Sequence, residues 1–227
     1  MMVKKFFIAG TDTDVGKTVA SVALLTWLNS RGYRTVGYKP VAAGCEMKSG
    51  SLRNSDANYL QKFSSVKLAY ENINPYPLKL AASPHIAAKS DNVCISLDLI
   101  SQKLGENERN ADVVLVEGAG GWRVPISETI YLSDWVKLEK IPVILVVGIK
   151  LGCLNHTVLS ADAIHSDGVD IVGWVANQVK KDTEHYAEMV AMLSEKLEAP
   201  LLGEIPFLDE SVMTEELKSY IDLTSIL

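Results

Sequence analysis

The first residues that could do chemistry are a lysine and a threonine at the end of a glycine-bearing loop. Residues 10–18 read GTDTDVGKT, so that Lys17 and Thr18 directly follow Gly16. Glycines let the backbone approach phosphate groups closely, and loop N–H groups at a helix start attract anions. The lysine then supplies a point cation for the outer phosphates, and the threonine hydroxyl is placed for Mg²⁺. The segment predicts a nucleotide-phosphate site.

The spacing of this motif departs from the usual pattern. Five residues separate Gly10 from Gly16, where four are usual, and Thr11 stands at the position expected to be glycine. An ordinary strand-to-helix turn with a chance Gly-Lys-Thr is the alternative. The flanking segments favour the phosphate loop, because an apolar strand (residues 3–9) precedes it and an apolar-periodic helix begins at Thr18.

Three further charged residues fall where elements begin or end. Pro40 stops the strand of residues 35–38, so Lys39 should lie at its carboxyl end, the edge where open α/β sheets bind ligands. Glu117 ends an apolar run and is followed by glycines, and in phosphate-loop enzymes such an acid completes the Mg²⁺ shell. Asp56 opens a helix. From position alone, Lys39 could be a solvated lysine at a strand end, and Glu117 could be a carboxylate in the following turn. Asp56 could be a carboxylate that the dipole stabilises at the start of a helix.

The elements that must hold these residues alternate between strand and helix along the chain. This alternation predicts an α/β fold of phosphate-loop NTPase type: one doubly wound, mainly parallel sheet with helices on both faces, as a single domain over residues 1–227. We expect a surface loop at 45–55, a helix capped by Ser55, and a helix over 133–140 that turns Leu138 inward. We also expect Asn155 or a neighbour to cap a helix that ends near Ser166.

Composition narrows the function classes. The 227 residues carry a net charge of −6 with a pI near 5.3, which argues against a primary nucleic-acid role. The three widely spaced cysteines suit a reducing compartment rather than a disulfide framework. The amino-terminal residues lack a secretory pattern, and the longest apolar run (residues 141–149) is too short to span a bilayer. We expect a cytoplasmic protein with no membrane partner.

Several segments together resemble the dethiobiotin synthetase family, including its five-residue spacing in the phosphate loop. They follow the family's order over nearly the whole chain: residues 10–18, 37–42, 52–56, 114–122, 142–156, 173–177 and 199–206. The resemblance implies ATP-dependent ring closure. One amine of 7,8-diaminononanoate takes up CO₂ as a carbamate, ATP phosphorylates it, and the second amine attacks the mixed anhydride to give dethiobiotin.

The resemblance also implies roles for particular residues. Two anions meet in this reaction, so cations must lie between them: Lys17, Lys39 and Mg²⁺ held by Thr18, Asp56 and Glu117. The implied catalytic residues are Lys39, Lys17 and Thr13, and the implied substrate contacts are Thr13, Lys39, Gly152, Cys153, Leu154 and Asn155. The implied nucleotide contacts are Asp14, Val15, Gly16, Lys17, Thr18, Val19, Asp56, Glu117, Gly118, Ala119, Gly120, Asn177, Gln178, Pro206, Phe207 and Leu208. In the family the loop at 152–155 serves the partner subunit, which implies a homodimer.

Departures from the family pattern and rival functions stay open at this point. Ala43 stands where a relative has a substrate-contacting serine, Asp14 replaces a frequent glutamate, and the tail after Leu208 does not align cleanly. The main rival is a partition-type dimeric switch ATPase of the same fold. Those proteins usually carry an extra lysine early in the phosphate loop, where this chain has Thr11-Asp12-Thr13. Other ligases of the superfamily, such as those of cobalamin synthesis, and a non-enzymatic nucleotide-binding subunit are further alternatives.

Overall fold

A computed structural model describes residues 3–208 and 213–227 of the chain. Its main element is a sheet of six parallel strands, which confirms the predicted fold class. The strands, in chain order, are β1 (Lys4–Gly10), β2 (Thr35–Tyr38), β3 (Val41–Ala42), β4 (Glu46–Lys48), β5 (Ser51–Arg53), β6 (Tyr76–Pro77), β7 (Val113–Glu117), β8 (Val143–Ile149), β9 (Ile171–Gln178) and β10 (Leu201–Ile205).

The main sheet has the order β10-β9-β8-β1-β7-β2. Its inner strands β7 and β8 are buried along their whole length, as expected for apolar runs covered on both faces. From β1 the chain first builds β2 and β7 on one side and later β8, β9 and β10 on the other. The carboxyl end of β1 is therefore the point of reversal, where open α/β sheets bind their ligands.

Helices pack around this sheet. They are α1 (Lys17–Ser30), α2 (Ser55–Phe63), α3 (Tyr70–Ile73), α4 (Pro84–Ser90), α5 (Leu97–Glu108), α6 (Leu132–Leu138), α7 (Cys153–Ser166) and α8 (Tyr186–Lys196), with a 3₁₀ helix at Glu215–Tyr220. Helix α1 contacts β1, β2 and β7, and α7 contacts β8 and β9. A buried hydrophobic cluster extends from Phe6 to Leu223, but the division of residues 1–227 into domains stays a prediction.

Four local expectations were wrong. Residues 46–53 form the antiparallel hairpin β4–β5 rather than a plain loop. Asn54, not Ser55, caps α2, because its side chain accepts a hydrogen bond from the Ala57 N–H. Helix α6 ends at Leu138, whose side chain is 69% exposed instead of inward. Helix α7 begins earlier than expected, and its N-cap is Gly152 in a left-handed conformation with no side-chain cap.

Within the described residues, no helix is both long and apolar enough to cross a membrane.

The order of strands in the main sheet determines which loops lie next to one another. The loops that follow β1, β2 and β7 leave neighbouring strands at one edge, so the residues they carry come together there.

Candidate active site

The phosphate loop follows β1, and its backbone explains the unusual spacing. A Cβ atom on Gly10 would lie 2.8 Å from the Asp12 carbonyl oxygen and 2.9 Å from the Lys17 Nζ atom, so only glycine fits there. The loop turns through two residues in the left-handed region, Asp14 at φ 57° and Gly16 at φ 88°. Aspartate tolerates this region better than most residues. The fifth residue is accommodated without any glycine between Gly10 and Gly16.

Lys17, the first residue of α1, is buried and turns back over this loop. Its Nζ atom donates to the Asp12 carbonyl oxygen at 3.1 Å. Burial and the nearby positive charge of Lys39 together lower the pKa of Lys17 to about 8, although Glu117 and Asp56 act in the opposite direction. A triphosphate would reverse this shift, since an opposite charge favours the ammonium form.

Lys39 follows β2 and joins both candidate metal-binding acids. Its Nζ atom lies 2.7 Å from Glu117 Oε1 and 3.1 Å from Asp56 Oδ2, and it donates to the Gly118 carbonyl oxygen at 3.0 Å. Burial alone would lower the pKa of Lys39, but Glu117 and Asp56 raise it above its ordinary value. Lys39 is therefore charged and is not the solvated strand-end lysine of the alternative interpretation.

Glu117 is fully buried and fully paired. Its Oε1 atom accepts from Thr18 Oγ1 at 3.0 Å as well as from Lys39, and its Oε2 atom accepts from Ser21 Oγ at 2.7 Å. Burial raises the pKa of Asp56, yet Lys39 and the Thr18 hydroxyl bring it below its ordinary value. Asp56 is thus held as a carboxylate, beside the Thr18 hydroxyl that also donates to Glu117.

This donor set fits a hard divalent cation. Two carboxylates and one hydroxyl converge on a single point, and Mg²⁺ prefers such oxygen ligands, with phosphate oxygens and water completing its shell. No group of three or more His, Cys, Asp or Glu side chains with metal-site geometry occurs in residues 3–208 and 213–227. A metal here would therefore complete its coordination with water or with phosphate oxygens.

A cleft of about 900 Å³ opens beside this cluster. The predicted site residues that line it are Thr13, Asp14, Gly16, Lys17, Thr18, Val19, Lys39, Asp56, Ala119 and Gly120. The residues that line it but were missed are Ala42, Ala43, Asn54, Ala81, Ala82, Ser83, Pro84, Gly121 and Val124. Buried Val15, Glu117 and Gly118 lie behind this lining, and Glu117 reaches it only through Thr18 and Lys39.

The candidate base-binding residues lie at the ends of β9 and β10. Asn177 pairs with Ile205 in the sheet, so Pro206, Phe207 and Leu208 continue from the same edge. The Asn177 Nδ2 atom donates to the Val15 carbonyl oxygen at 3.0 Å, which links β9 to the phosphate loop. Gln178 does not share this contact, because its amide donates to the Lys181 carbonyl oxygen. Residues 209–212, the start of the tail left open from the sequence, lie outside the described residues.

The candidate carboxylate loop, residues 152–155, does not line the cleft. Gly152 has open space around it, Asn155 is exposed, and Cys153 is buried with its Sγ atom 3.6 Å from the Met189 Sδ atom. The link from this region to the phosphate loop is the Lys150–Asp12 ion pair at 3.4 Å. Within one chain, the structure does not bring residues 152–155 together with Lys39 and Thr13.

Sequence comparisons place the chain among known proteins. Residues 4–215 match the family described as AAA domain. Proteins named "ATP-dependent dethiobiotin synthetase BioD" from Vibrio parahaemolyticus serotype O3:K6 (strain RIMD 2210633) and Vibrio vulnificus (strain YJ016) are 57% and 58% identical to it, over 100% of this chain and 99% of each relative. The chain belongs to the dethiobiotin synthetase family. A protein of the same name from Vibrio cholerae is 54% identical over 97% of this chain and 95% of its own length.

Solved structures show the fold of this dethiobiotin synthetase family member in more distant proteins. The septum site-determining protein MinD from Pyrococcus horikoshii, complexed with Mg-ADP, superimposes with a TM-score of 0.55 at 13% identity, over 99% of this chain and 89% of MinD. The MinC:MinD cell division complex of Aquifex aeolicus gives 0.56 at 14% identity, over 95% and 87%. At such identity the likeness concerns the fold alone.

One supporting contact of the family's glycine loop was missed because it joins distant parts of the sequence. The Trp122 Nε1 atom donates to Asp167 Oδ2 at 2.8 Å, and Asp167 also pairs with Arg123 and Lys137. The Trp122 ring packs edge-on against Phe7 of β1. Nothing in the sequence around Trp122 points to Asp167, so this contact needed the structure.

Proposed function

We propose that this chain forms dethiobiotin from 7,8-diaminononanoate and CO₂ at the cost of one ATP, with the cleft beside Lys39 as the site of reaction. Family membership makes the chain an enzyme, an ATP-dependent synthetase of biotin biosynthesis. The observation that carries the proposal is the identity of 57–58% over the full length. The substrates, the metal, the residue roles and the assembly are further parts of the proposal, and the site supports them.

The bonding changes assign work to the two lysines. A carbamate oxygen attacks the γ-phosphorus and ADP leaves, which gives a carbamic-phosphoric anhydride. The second amine then attacks the anhydride carbon, expels inorganic phosphate, loses a proton and closes the cyclic urea. The first step brings two anions together and the second expels a phosphate anion, so the ammonium groups of Lys17 and Lys39 supply electrostatic stabilisation in both, with Thr13 in the lining of the same cleft.

The cleft suits the two halves of this substrate. Its lining includes several small apolar residues, among them Ala42, Ala43, Ala81 and Ala82. Such a lining accommodates a methylene chain and excludes water, which matters because water would otherwise hydrolyse the anhydride. Ala43 offers no hydroxyl, so any contact at that position is from its backbone. Ring closure needs little more than orientation, since intramolecular attack reaches effective molarities of ~10⁵ M or more.

The nucleotide is held at three points in this proposal. The loop of residues 14–19 surrounds the phosphates, and Mg²⁺ bound by Thr18, Asp56 and Glu117 neutralises charge on them. At the base, the Asn177 side-chain amide donates one N–H to the Val15 carbonyl oxygen, which fixes the orientation of the amide. The Asn177 Oδ1 atom could then accept a hydrogen bond from the adenine amino group. Pro206, Phe207 and Leu208 would cover the ring, and Phe207 is 38% exposed in the free chain.

The exposed start of α7 supports a homodimer. Leu151, just before the N-cap of α7, is 98% exposed, and on α7 Val158 and Leu159 form an exposed apolar stripe, with Asn155 three and four residues before them on the same face. A partner covering this stripe would bring the N–H groups of residues 152–155 to its own cleft, where they could hold the substrate carboxylate. The three free cysteines and the need for ATP support a cytoplasmic location.

The test measures phosphate release from ATP and Mg²⁺ with bicarbonate, in the presence and absence of diaminononanoate. We expect release to depend on the diamine and to be matched by dethiobiotin identified by mass. Equal rates with and without the diamine would instead indicate the switch ATPase, which shares this fold but is not favoured by the sequence relatives.

A further inference from the structure

The Lys39 ammonium lies between the carboxylates of Glu117 and Asp56, the two acids of the proposed metal site. We propose that Lys39 is a resident counter-ion of the metal site, which gives way to the divalent cation and only then becomes free to bind the carboxylated amine. This inference rests on the metal site of the proposed function. It adds an order of events that the family's reaction does not by itself require.

The hydrogen bonds of Lys39 carry the argument. An ammonium group has three N–H donors. In this structure all three have acceptors, which are Glu117 Oε1 at 2.7 Å, the Gly118 carbonyl oxygen at 3.0 Å and Asp56 Oδ2 at 3.1 Å. Lys39 therefore has no donor left for a substrate. To bind a carbamate oxygen it must first release one of these three acceptors.

The surrounding charges explain why Lys39 keeps these three acceptors in the free protein. Glu117 is fully buried, and its hydrogen-bond partners besides Lys39 are two hydroxyl groups, those of Thr18 and Ser21. A buried carboxylate without a cation is costly, so the ammonium cannot leave unless another cation replaces it. A divalent ion balances the two carboxylates of Glu117 and Asp56 by itself. With this ion bound, the two carboxylates would no longer need the Lys39 ammonium as their counter-ion.

The exchange would couple two ligands that do not need to touch. Binding of the metal–nucleotide complex frees Lys39, so the carboxylated diamine binds more tightly afterwards. Thermodynamic linkage requires the converse, namely that the substrate anion strengthens metal–nucleotide binding by the same factor. Phosphorylation of the carbamate is then favoured over loss of the γ-phosphate to water, because the cation that holds the acceptor is released only in the loaded site.

The experiment titrates Mn²⁺, used as a spectroscopic stand-in for Mg²⁺, into nucleotide-free protein and follows free Mn²⁺ by electron paramagnetic resonance. Lys39→Met removes the competing ammonium and should lower the Mn²⁺ dissociation constant by about tenfold, within the usual range of coupling between sites. Lys17→Met is the control, because it removes a neighbouring positive charge whose Nζ atom bonds the Asp12 carbonyl instead of the carboxylates. It should strengthen Mn²⁺ binding much less.

Two results would overturn the inference. One is unchanged Mn²⁺ affinity in Lys39→Met, and the other is an equal gain in both variants, which would mean that only long-range charge matters. If Lys39→Met does not fold, Lys39→Gln keeps an amide donor for Glu117 while removing the charge, and the same comparison applies. Neither titration contains diamine or ATP, so a failure to form dethiobiotin would reject the proposed function without changing this outcome.

A second readout follows the thermal unfolding of the same proteins. In Lys39→Met, Glu117 has lost its cation, so Mg²⁺ alone should raise the melting temperature of this variant markedly. The carboxylates of the wild type are already paired with Lys39, so the melting temperature of the wild type should change little. Stabilisation of both proteins by the same amount would contradict the exchange.

Discussion

The two ends of the proposed substrate site are built in opposite ways. At the phosphate end, Lys39, Glu117, Thr18 and Ser21 are tied together by contacts of 2.7–3.0 Å within one chain. At the α7 end, Gly152 starts the helix without a side-chain cap, and Leu151 and Leu159 are exposed. At the phosphate end these buried side chains are paired with one another, whereas at the α7 end, among the described residues, the N–H groups of Leu154 and Asn155 have no acceptor and apolar side chains are exposed.

This difference predicts that substitutions at the two ends should have different effects. The phosphate end depends on burial and charge, so single substitutions there should act on chemistry in each subunit separately. The α7 end gains its partners from a second chain in our proposal, so substitutions there should act through assembly and through the affinity for the diamine. The predictions below test this separation.

The largest effect should come from the phosphate end. Lys39→Ala removes a cation from between the reacting anions and should lower diamine-dependent turnover by ~10²-fold or more, as for loss of a group that stabilises transition-state charge. Lys5→Ala is the matched control, because Lys5 also bridges two acids, Glu108 and Glu139, but away from the cleft. A near-normal rate in Lys39→Ala would remove this residue from the reaction.

The α7 end should respond through assembly. Leu159→Asp puts a charge into the proposed interface and should convert dimers to monomers in analytical ultracentrifugation. The KM for diaminononanoate should rise by about tenfold or more, equivalent to about 1.4 kcal/mol, while ADP affinity stays unchanged. Leu138→Asp is the control, since Leu138 is as exposed at 69% but lies on α6, away from the α7 stripe. Equal behaviour of both variants would break the comparison.

Base recognition belongs to the phosphate end because Asn177 contacts the phosphate loop. Asn177→Ala should reduce the preference for ATP over GTP by roughly tenfold, as expected where a paired amide reads adenine at a cost of about 1–3 kcal/mol per contact. Gln178→Ala should leave the preference intact, because its amide bonds Lys181 instead. The ratio of kcat/KM for the two nucleotides measures this, and loss of preference in both variants would refute the distinction.

The smallest effect concerns pH. The pKa of Lys17 is lowered to about 8 by burial, so its ammonium is lost above this pH and ADP affinity should fall, by at most about tenfold per pH unit. Between pH 8 and 10.5 the unfolded chain binds this proton and the folded chain does not, so the contribution of Lys17 to folding stability rises with pH. In the wild type, calorimetric titrations should therefore show ADP affinity falling as the pH rises, while denaturant unfolding shows the stability contribution of Lys17 rising. Lys17→Met should lack both trends.

The sequence was sufficient for the fold and for the phosphate end, because both depend on local patterns. The apolar runs that end in Lys39 and Glu117 predicted strands whose ends would meet, and the sheet order brings them together. The family resemblance is confirmed by the relatives. The roles of the individual site residues stay predictions.

What failed or was missed depends on contacts between distant segments or on a single turn. Asn54 and Ser55 are both good caps, and only the chain path into α2 decides between them. Leu138 has the right spacing for the core, but α6 ends there and leaves it outside. The third acceptor of Lys39, the hydroxyl of Ser21 and the Trp122–Asp167 contact involve groups that no spacing rule connects.

The close approach of Asn177 to Gly16 limits how the enzyme could be redesigned. A methyl group on Gly16 would come within 2.1 Å of the Asn177 Nδ2 atom. Changes at Asn177 intended to admit a different nucleobase would also remove its hydrogen bond to the Val15 carbonyl oxygen in the phosphate loop. Directed evolution toward other cosubstrates should find its tolerated mutations on the β10 side, around Phe207, where a side chain can be exchanged without disturbing the turn that precedes α1.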